Sequence, residues 1–184
     1  MDHKSNEAGF LYMDVMIAVT VLLVGVIAML TAITSGIVMT TTSHQQLAAK
    51  QYVQSTIEAI FSARDLDELG FDVIGNVGDA TIPGGVFLTG ERNFYTTAGT
   101  DGIVGTADDS EGPDRTVGTG DDTPPIEGFL RQIIISNPPG LNTPGSPTTL
   151  RQIEVTVTYR IGNGQFRESM TTFAANYRTG VPGG

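Results

Sequence analysis

Six aspartates, Asp101, Asp108, Asp109, Asp114, Asp121 and Asp122, fall within 22 consecutive residues of a 184-residue chain. They come as two copies of one pattern. "TDGIVGTADD", residues 100–109, is echoed by "PDRTVGTGDD", residues 113–122, at an offset of 13. Three carboxylates and a Gly-Thr bend per copy are the kind of oxygen donors that Ca²⁺ takes, since calcium prefers six to eight oxygen ligands on a loop bent by glycine. Without a cation, six such charges repel one another. The spacing is neither that of an EF-hand loop, with Asp at alternate positions and Glu at twelve, nor that of a nonapeptide β-roll. Two readings stand side by side: a Ca²⁺-stiffened loop, and a solvated acidic insertion without a ligand.

A seventh aspartate raises a different question. Asp14 lies inside "GFLYMDVMIAVTVLLVGVIAML", and residues 15–30 contain no charge, no Pro and one Gly. Extended to Val38, the run exceeds the roughly 20 apolar residues that cross a bilayer as a helix. A helix meets the bilayer's demand that every backbone N–H and C=O be satisfied internally. An ionisable group in such a run is costly and a functional candidate by default. The alternative is an acid that merely snorkels at the edge of an ordinary anchor. The flanks are not those of a secretory signal, which has a basic start, a shorter apolar core and a small-residue cleavage site. Lys4 stands against Asp2 and Glu7, so the positive-inside signal is weak.

A polar leader ending in Gly, then Phe, then an acid at the fifth place of an apolar helix, resembles a type IV prepilin. The family's start is G-F-T-L-I-E-V. This chain has Asp for the usual Glu, Tyr12-Met13 where smaller or aliphatic residues are common, and Glu7-Ala8 where a basic residue often precedes the Gly. The resemblance implies cleavage after Gly9 by a prepilin peptidase and N-methylation of Phe10. It also implies that Asp14 assists assembly by meeting the new amine of a neighbouring Phe10. Phe10 and Asp14 are also i and i+4 on one helix, and so share a face. The implied partners are other pilin subunits, in a homo- or hetero-filament, the peptidase, an assembly platform in the cytoplasmic membrane, and the lipid bilayer before assembly. The implied location is the cytoplasmic membrane for the single-pass precursor, and an extracellular or periplasmic filament once assembled.

The elements that position these residues follow from periodicity. Between His44 and Ala63 there is no Gly or Pro, and Ala49, Tyr52, Val53, Thr56, Ile57 and Ile60 recur at helical spacing. One helix is predicted from about Leu11 to about Ala63, spanning roughly 80 Å. Gly36 and "TTTS", residues 40–43, mark the place where it would bend or melt. "RQIEVTVTYRI" alternates strictly and reads as a half-buried strand, Gly162-Asn163-Gly164 as a hairpin turn, and "QFRESMTTFAANY" as its partner. "GFLRQIII" reads as an earlier strand, and "SNPPGLNTPGSPTT" as the loop between them. Residues 86–88 and 92–97 are candidate edge strands. The fold class is therefore α+β: a long N-terminal helix, membrane-spanning in its first half, on a small antiparallel sheet of three or four strands. The hairpin also looks like that of minor pilins and minor pseudopilins of type II secretion.

The expected organisation is a leader at 1–9, an assembly half of the helix at 10–38 and an amphipathic half at 39–69. A Gly-rich variable region at 70–127, a sheet at 128–178 and a flexible tail at 179–184 follow. The chain has no cysteine, which excludes disulfides, thiolate metal sites and cysteine nucleophiles. A formal charge of −10 argues against nucleic acid as a partner. No Walker loop, dinucleotide fingerprint or G-x-S-x-G elbow is present, and enzymatic function has no support. His3 and His44 fall in the leader and the membrane-exit zone and read as solvated or interfacial polar residues rather than metal ligands. The functional expectation is a filament subunit of a type IV pilus-like or type II secretion pseudopilus assembly. The alternatives are an uncleaved single-pass anchored binding module with a calcium-stiffened loop, and a minor, priming subunit at a filament tip.

Overall fold

The computed structural model describes residues 7–138 and 149–176. Helix α1 runs uninterrupted over Glu7–Asp65. A short 3-10 turn follows at Phe71–Val73. Four strands complete the element order: β1 Arg92–Asn93, β2 Phe129–Ser136, β3 Leu150–Ile161 and β4 Gly164–Ala175. They form one antiparallel sheet in the order β1-β2-β3-β4. The α+β reading therefore holds. By its contacts the chain divides into residues 1–44 and 45–184.

In the first unit the helix exposes every apolar side chain from Tyr12 to Met39. Its most apolar 18-residue window has a mean hydropathy of 2.7, which makes α1 long and apolar enough to cross a membrane. The expected melting at Gly36 and residues 40–43 does not occur. Thr40, Thr41, Thr42 and Ser43 donate their hydroxyls to the carbonyls four residues earlier, at 2.8–3.0 Å. Thr20, Thr31 and Thr34 do the same. Hydroxyls satisfied within the helix neither break it nor need water.

In the second unit the predicted stripe of α1 is the helical half of the core. Ala49, Val53, Thr56, Ile57, Ile60 and Ala63 are buried, and Gln46, Lys50, Gln54 and Glu58 are exposed. Ile133 and Ile135 of β2, and Ile153, Val155, Val157 and Tyr159 of β3, supply the sheet half. Each fully buried Val or Ile contributes about 1.5–3 kcal/mol. Rings link the layers: Tyr52 lies 4.6 Å from Phe94 and 5.1 Å from Phe129, Phe129 lies 6.1 Å from Tyr159, and Tyr159 lies 5.8 Å from Phe166.

The hairpin closes where predicted, with Ile161 opposite Gly164 and every later pair in step from Arg160–Gln165 to Leu150–Ala175. The region at 86–97 differs from expectation. Only Arg92–Asn93 forms a strand, pairing with Arg131 and Leu130 of β2. Phe87 makes a single bridge to Asn76. Beyond β1 the edge of β2 is met by a side chain. Asn76 donates Nδ2 to the Ile133 carbonyl at 2.8 Å, and its Oδ1 accepts the Ile135 N–H at 2.7 Å. A buried amide thus takes the place of a neighbouring strand. The predicted tail at 179–184 lies outside the described residues, as do most of the predicted β2–β3 loop and leader residues 1–6.

Candidate functional site

The acidic duplication is a duplication of structure. Asp101 Oδ1 accepts the Ile103 N–H at 2.8 Å, and Asp114 Oδ1 accepts the Thr116 N–H at 2.8 Å. Thr106 donates its hydroxyl to Asp108 Oδ1 at 2.6 Å, and Thr119 to Asp121 Oδ1 at 2.7 Å. Asp108 Oδ2 accepts the Asp101 N–H at 3.0 Å, and Asp121 Oδ2 the Asp114 N–H at 3.1 Å. Asp109 Oδ2 accepts the Gly105 N–H at 2.8 Å, and Asp122 Oδ2 the Gly118 N–H at 2.6 Å. Gly105 and Gly118 share φ +93°, and Gly102 and Arg115 both adopt positive φ. The unit also reaches further than the quoted match. A side chain at Gly99 would collide with Asp108, and one at Gly112 with Asp121. Glycine is needed at both because the carboxylate folds back over its own start. The Thr123 N–H donates to the Ser110 carbonyl at 2.9 Å, tying the second copy to the equivalent point of the first.

The copies differ in their surroundings. The first is pressed onto the core: Ile103, Thr106 and Asp109 are buried, and the Leu88 N–H donates to the Gly105 carbonyl at 2.9 Å. Arg131 of β2 forms a salt bridge with Asp109, both side chains being nearly inaccessible, and stacks its guanidinium over Phe94 at 5.1 Å. Sequence reasoning missed Arg131. The only available signal was a cation at an inward-facing position of an otherwise apolar strand. In the second copy, Asp114 and Asp121 are exposed, and Asp122 forms no ion pair among the described residues.

These environments shift the carboxyls in opposite directions. Burial pushes Asp101 and Asp109 above the ordinary 3.8, in Asp109 against the pull of Arg131. Burial also opposes ionisation of Asp108, but hydrogen bonds from Thr106 and from backbone amides outweigh it and hold this group below 3.8. The Thr119 hydroxyl and the Asp114 amide lower Asp121 likewise. Burial lowers Arg131, against the attraction of Asp109.

Among the described residues no group of three or more His, Cys, Asp or Glu side chains is arranged to hold a metal ion. The aspartates turn to donors of their own loops. The donor set expected for Ca²⁺ is thus brought into one region but not gathered into a cage, and one cation of the first copy is Arg131.

The second candidate site is the start of α1. Gly9 and Phe10 lie in its first turns, and Asp14 lies one turn beyond Phe10. Asp14 is exposed, amid exposed Tyr12, Met13, Val15 and Ile17. No family model, curated protein or solved structure matches the chain.

Proposed function

We propose that this chain is a structural subunit of a type IV pilus-like or type II secretion pseudopilus filament. It enters the cytoplasmic membrane by α1, is cleaved between Gly9 and Phe10, is methylated at Phe10, and polymerises through the apolar half of the helix. The observation that carries the reading is one uninterrupted helix whose large apolar side chains from Tyr12 to Met39 are all exposed, with Asp14 as the only acid among them. So large an uncovered apolar surface needs lipid or other helices around it. In lipid Asp14 is costly, and beside the amine of a neighbouring Phe10 it is paired. The second unit then supplies the exposed sheet-and-loop face of the filament.

Mass spectrometry of the protein from its native membrane tests this. The expected N-terminus is a methylated Phe10. An intact Met1 overturns cleavage and favours an uncleaved single-pass anchor. Asp14→Ala is expected to enter the membrane normally and to fail in assembly. Normal filaments from that variant remove the charge pairing.

A further inference from the structure

The duplicated loop gives the protein two copies of one surface, and only one of them is covered. In the first copy three groups are met by the rest of the fold. The Asp109 carboxylate pairs with Arg131, and the Gly105 carbonyl accepts the Leu88 N–H at 2.9 Å. Gly105 itself lies so close to Ile133 and Phe87 that a methyl there would collide with Ile133. Arg131 and Ile133 stand two residues apart on β2 and so share a face of the strand. The first copy thus binds an arginine followed two residues later by a branched apolar side chain, both presented by extended backbone, with a main-chain N–H alongside.

The second copy holds the same three groups in the same local geometry. Asp122 accepts the Gly118 N–H as Asp109 accepts the Gly105 N–H, and the two glycines share φ +93°. None of the three is met. Among the described residues Asp122 forms no ion pair, and the Gly118 carbonyl accepts no hydrogen bond. Beyond the chain neighbours of Gly118, no atom lies within 4 Å of where its Cβ would stand. Thr116, Val117 and Gly118 are exposed, as are Asp114 and Asp121 of the same loop, whose charges favour a cationic partner.

We infer that the second copy docks an arginine-bearing extended segment of a partner polypeptide, seated on Asp122 and Gly118 as β2 and Leu88 are seated on the first copy. The first copy names the occupant, because the equivalent carboxylate and glycine carbonyl already hold a guanidinium and a main-chain N–H within this protein. Arginine fits better than lysine, since a planar guanidinium matches a carboxylate in two parallel hydrogen bonds. The contact is smaller than that of the first copy, because Thr116 stands where Ile103 enters the core. Charge and main-chain hydrogen bonding therefore carry the recognition, and added salt weakens it.

The test uses the full chain, ¹⁵N-labelled in detergent micelles with a calcium chelator present. The probe is a capped synthetic peptide with the sequence of residues 130–133, followed by NMR to millimolar concentration. The amides of Gly118 and Asp122 are expected to shift to saturation, while those of Gly105 and Asp109, already engaged, stay in place. Asp122→Asn keeps the acceptor for the Gly118 N–H and is expected to weaken binding roughly tenfold, the worth of a hydrogen bond to a charged group. The same peptide with methionine for its arginine removes that contact without altering the protein, and is expected to lose as much. No shift at Gly118 and Asp122, equal binding of the arginine and methionine peptides, or binding undiminished by Asp122→Asn overturns the inference. Equal shifts from arginine amide alone overturn the polypeptide occupant. So do shifts that grow with protein concentration in the absence of peptide, which assign the surface to a second copy of this chain. Every residue involved lies within residues 45–184, so the expected result is the same for a cleaved and an uncleaved chain.

Discussion

Asp109 and Asp122 hold the same place in two copies of one loop, each accepting the N–H of a glycine at φ +93°, yet only Asp109 meets an arginine. The difference is the depth of the surroundings. Against β2 a bare carboxylate would be buried without compensation, so Arg131 is required. Asp122 is only half-buried, and the Gly118 N–H meets it without an arginine.

Arg131→Met leaves Asp109 buried and unpaired, and is expected to destabilise the protein by about 3–5 kcal/mol in urea unfolding. Joined with Asp109→Leu it is expected to recover most of that loss, because two apolar groups replace the pair. Asp122→Asn keeps the amide acceptor and is expected to stay within about 0.5 kcal/mol of the parent. Equal effects at Asp109 and Asp122 would contradict the contrast.

Asn76 is the predicted weak point of the β2 edge. Asn76→Ala strips partners from the buried Ile133 carbonyl and Ile135 N–H. Leaving such groups unmet costs about 1–3 kcal/mol each. The variant is expected to unfold at lower urea and to exchange the Ile135 amide faster.

Backbone conformation separates the copies in the opposite sense. Arg115 stands at φ +58° where the first copy has Gly102 at φ +72°. A non-glycine residue there is strained by roughly 1–2 kcal/mol, so Arg115→Gly is expected to raise stability by up to that amount. Gly105→Ala is expected to cost more than Gly118→Ala. Both have the same φ, but only at Gly105 does the new methyl meet Ile133 and Phe87. Thermal melts of these variants decide it.

The titration order is a further expectation. Followed by carboxyl carbon NMR, Asp101 and Asp109 should protonate above 3.8, and Asp108 and Asp121 below it. A lowered folded-state value means stability that is present above 3.8 and lost as pH falls through that lower value. A raised value means the reverse: the contribution of Asp101 and Asp109 is present below 3.8 and lost as pH rises through theirs. Acid should therefore loosen the Thr106–Asp108 and Thr119–Asp121 staples only below the ordinary Asp range.

Calcium separates the copies as well. Because Arg131 already serves Asp109, chelation is expected to leave protease cleavage within residues 100–109 unchanged. Protection of residues 113–122 on adding Ca²⁺ would support the calcium expectation for Asp114, Asp121 and Asp122. Unchanged cleavage there assigns these carboxylates to hydrogen bonds alone.

The helix, its buried stripe, the hairpin and the acidic repeat were legible in the chain because each is written in local periodicity. Helical spacing placed Ala49 to Ile60, alternation placed Ile153 to Tyr159, and Gly162-Asn163 placed the turn. The misreadings have equally local causes. Gly36 and the Thr-Ser cluster look like breakers until their hydroxyls bond carbonyls within the same helix. Residues 86–88 and 92–97 look strand-forming, but only Arg92 and Asn93 pair with β2.

By itself the sequence determined an apolar helix bearing one acid, a half-buried hairpin and a doubled aspartate loop, since side-chain pattern and turn chemistry act between near neighbours. Only the tertiary structure decided that Arg131 answers Asp109 and that Asn76 closes one edge of the sheet. Those outcomes depend on groups brought together from 22, 57 and 59 residues away. Burial, which sets the energy of each, is a property of the packed whole.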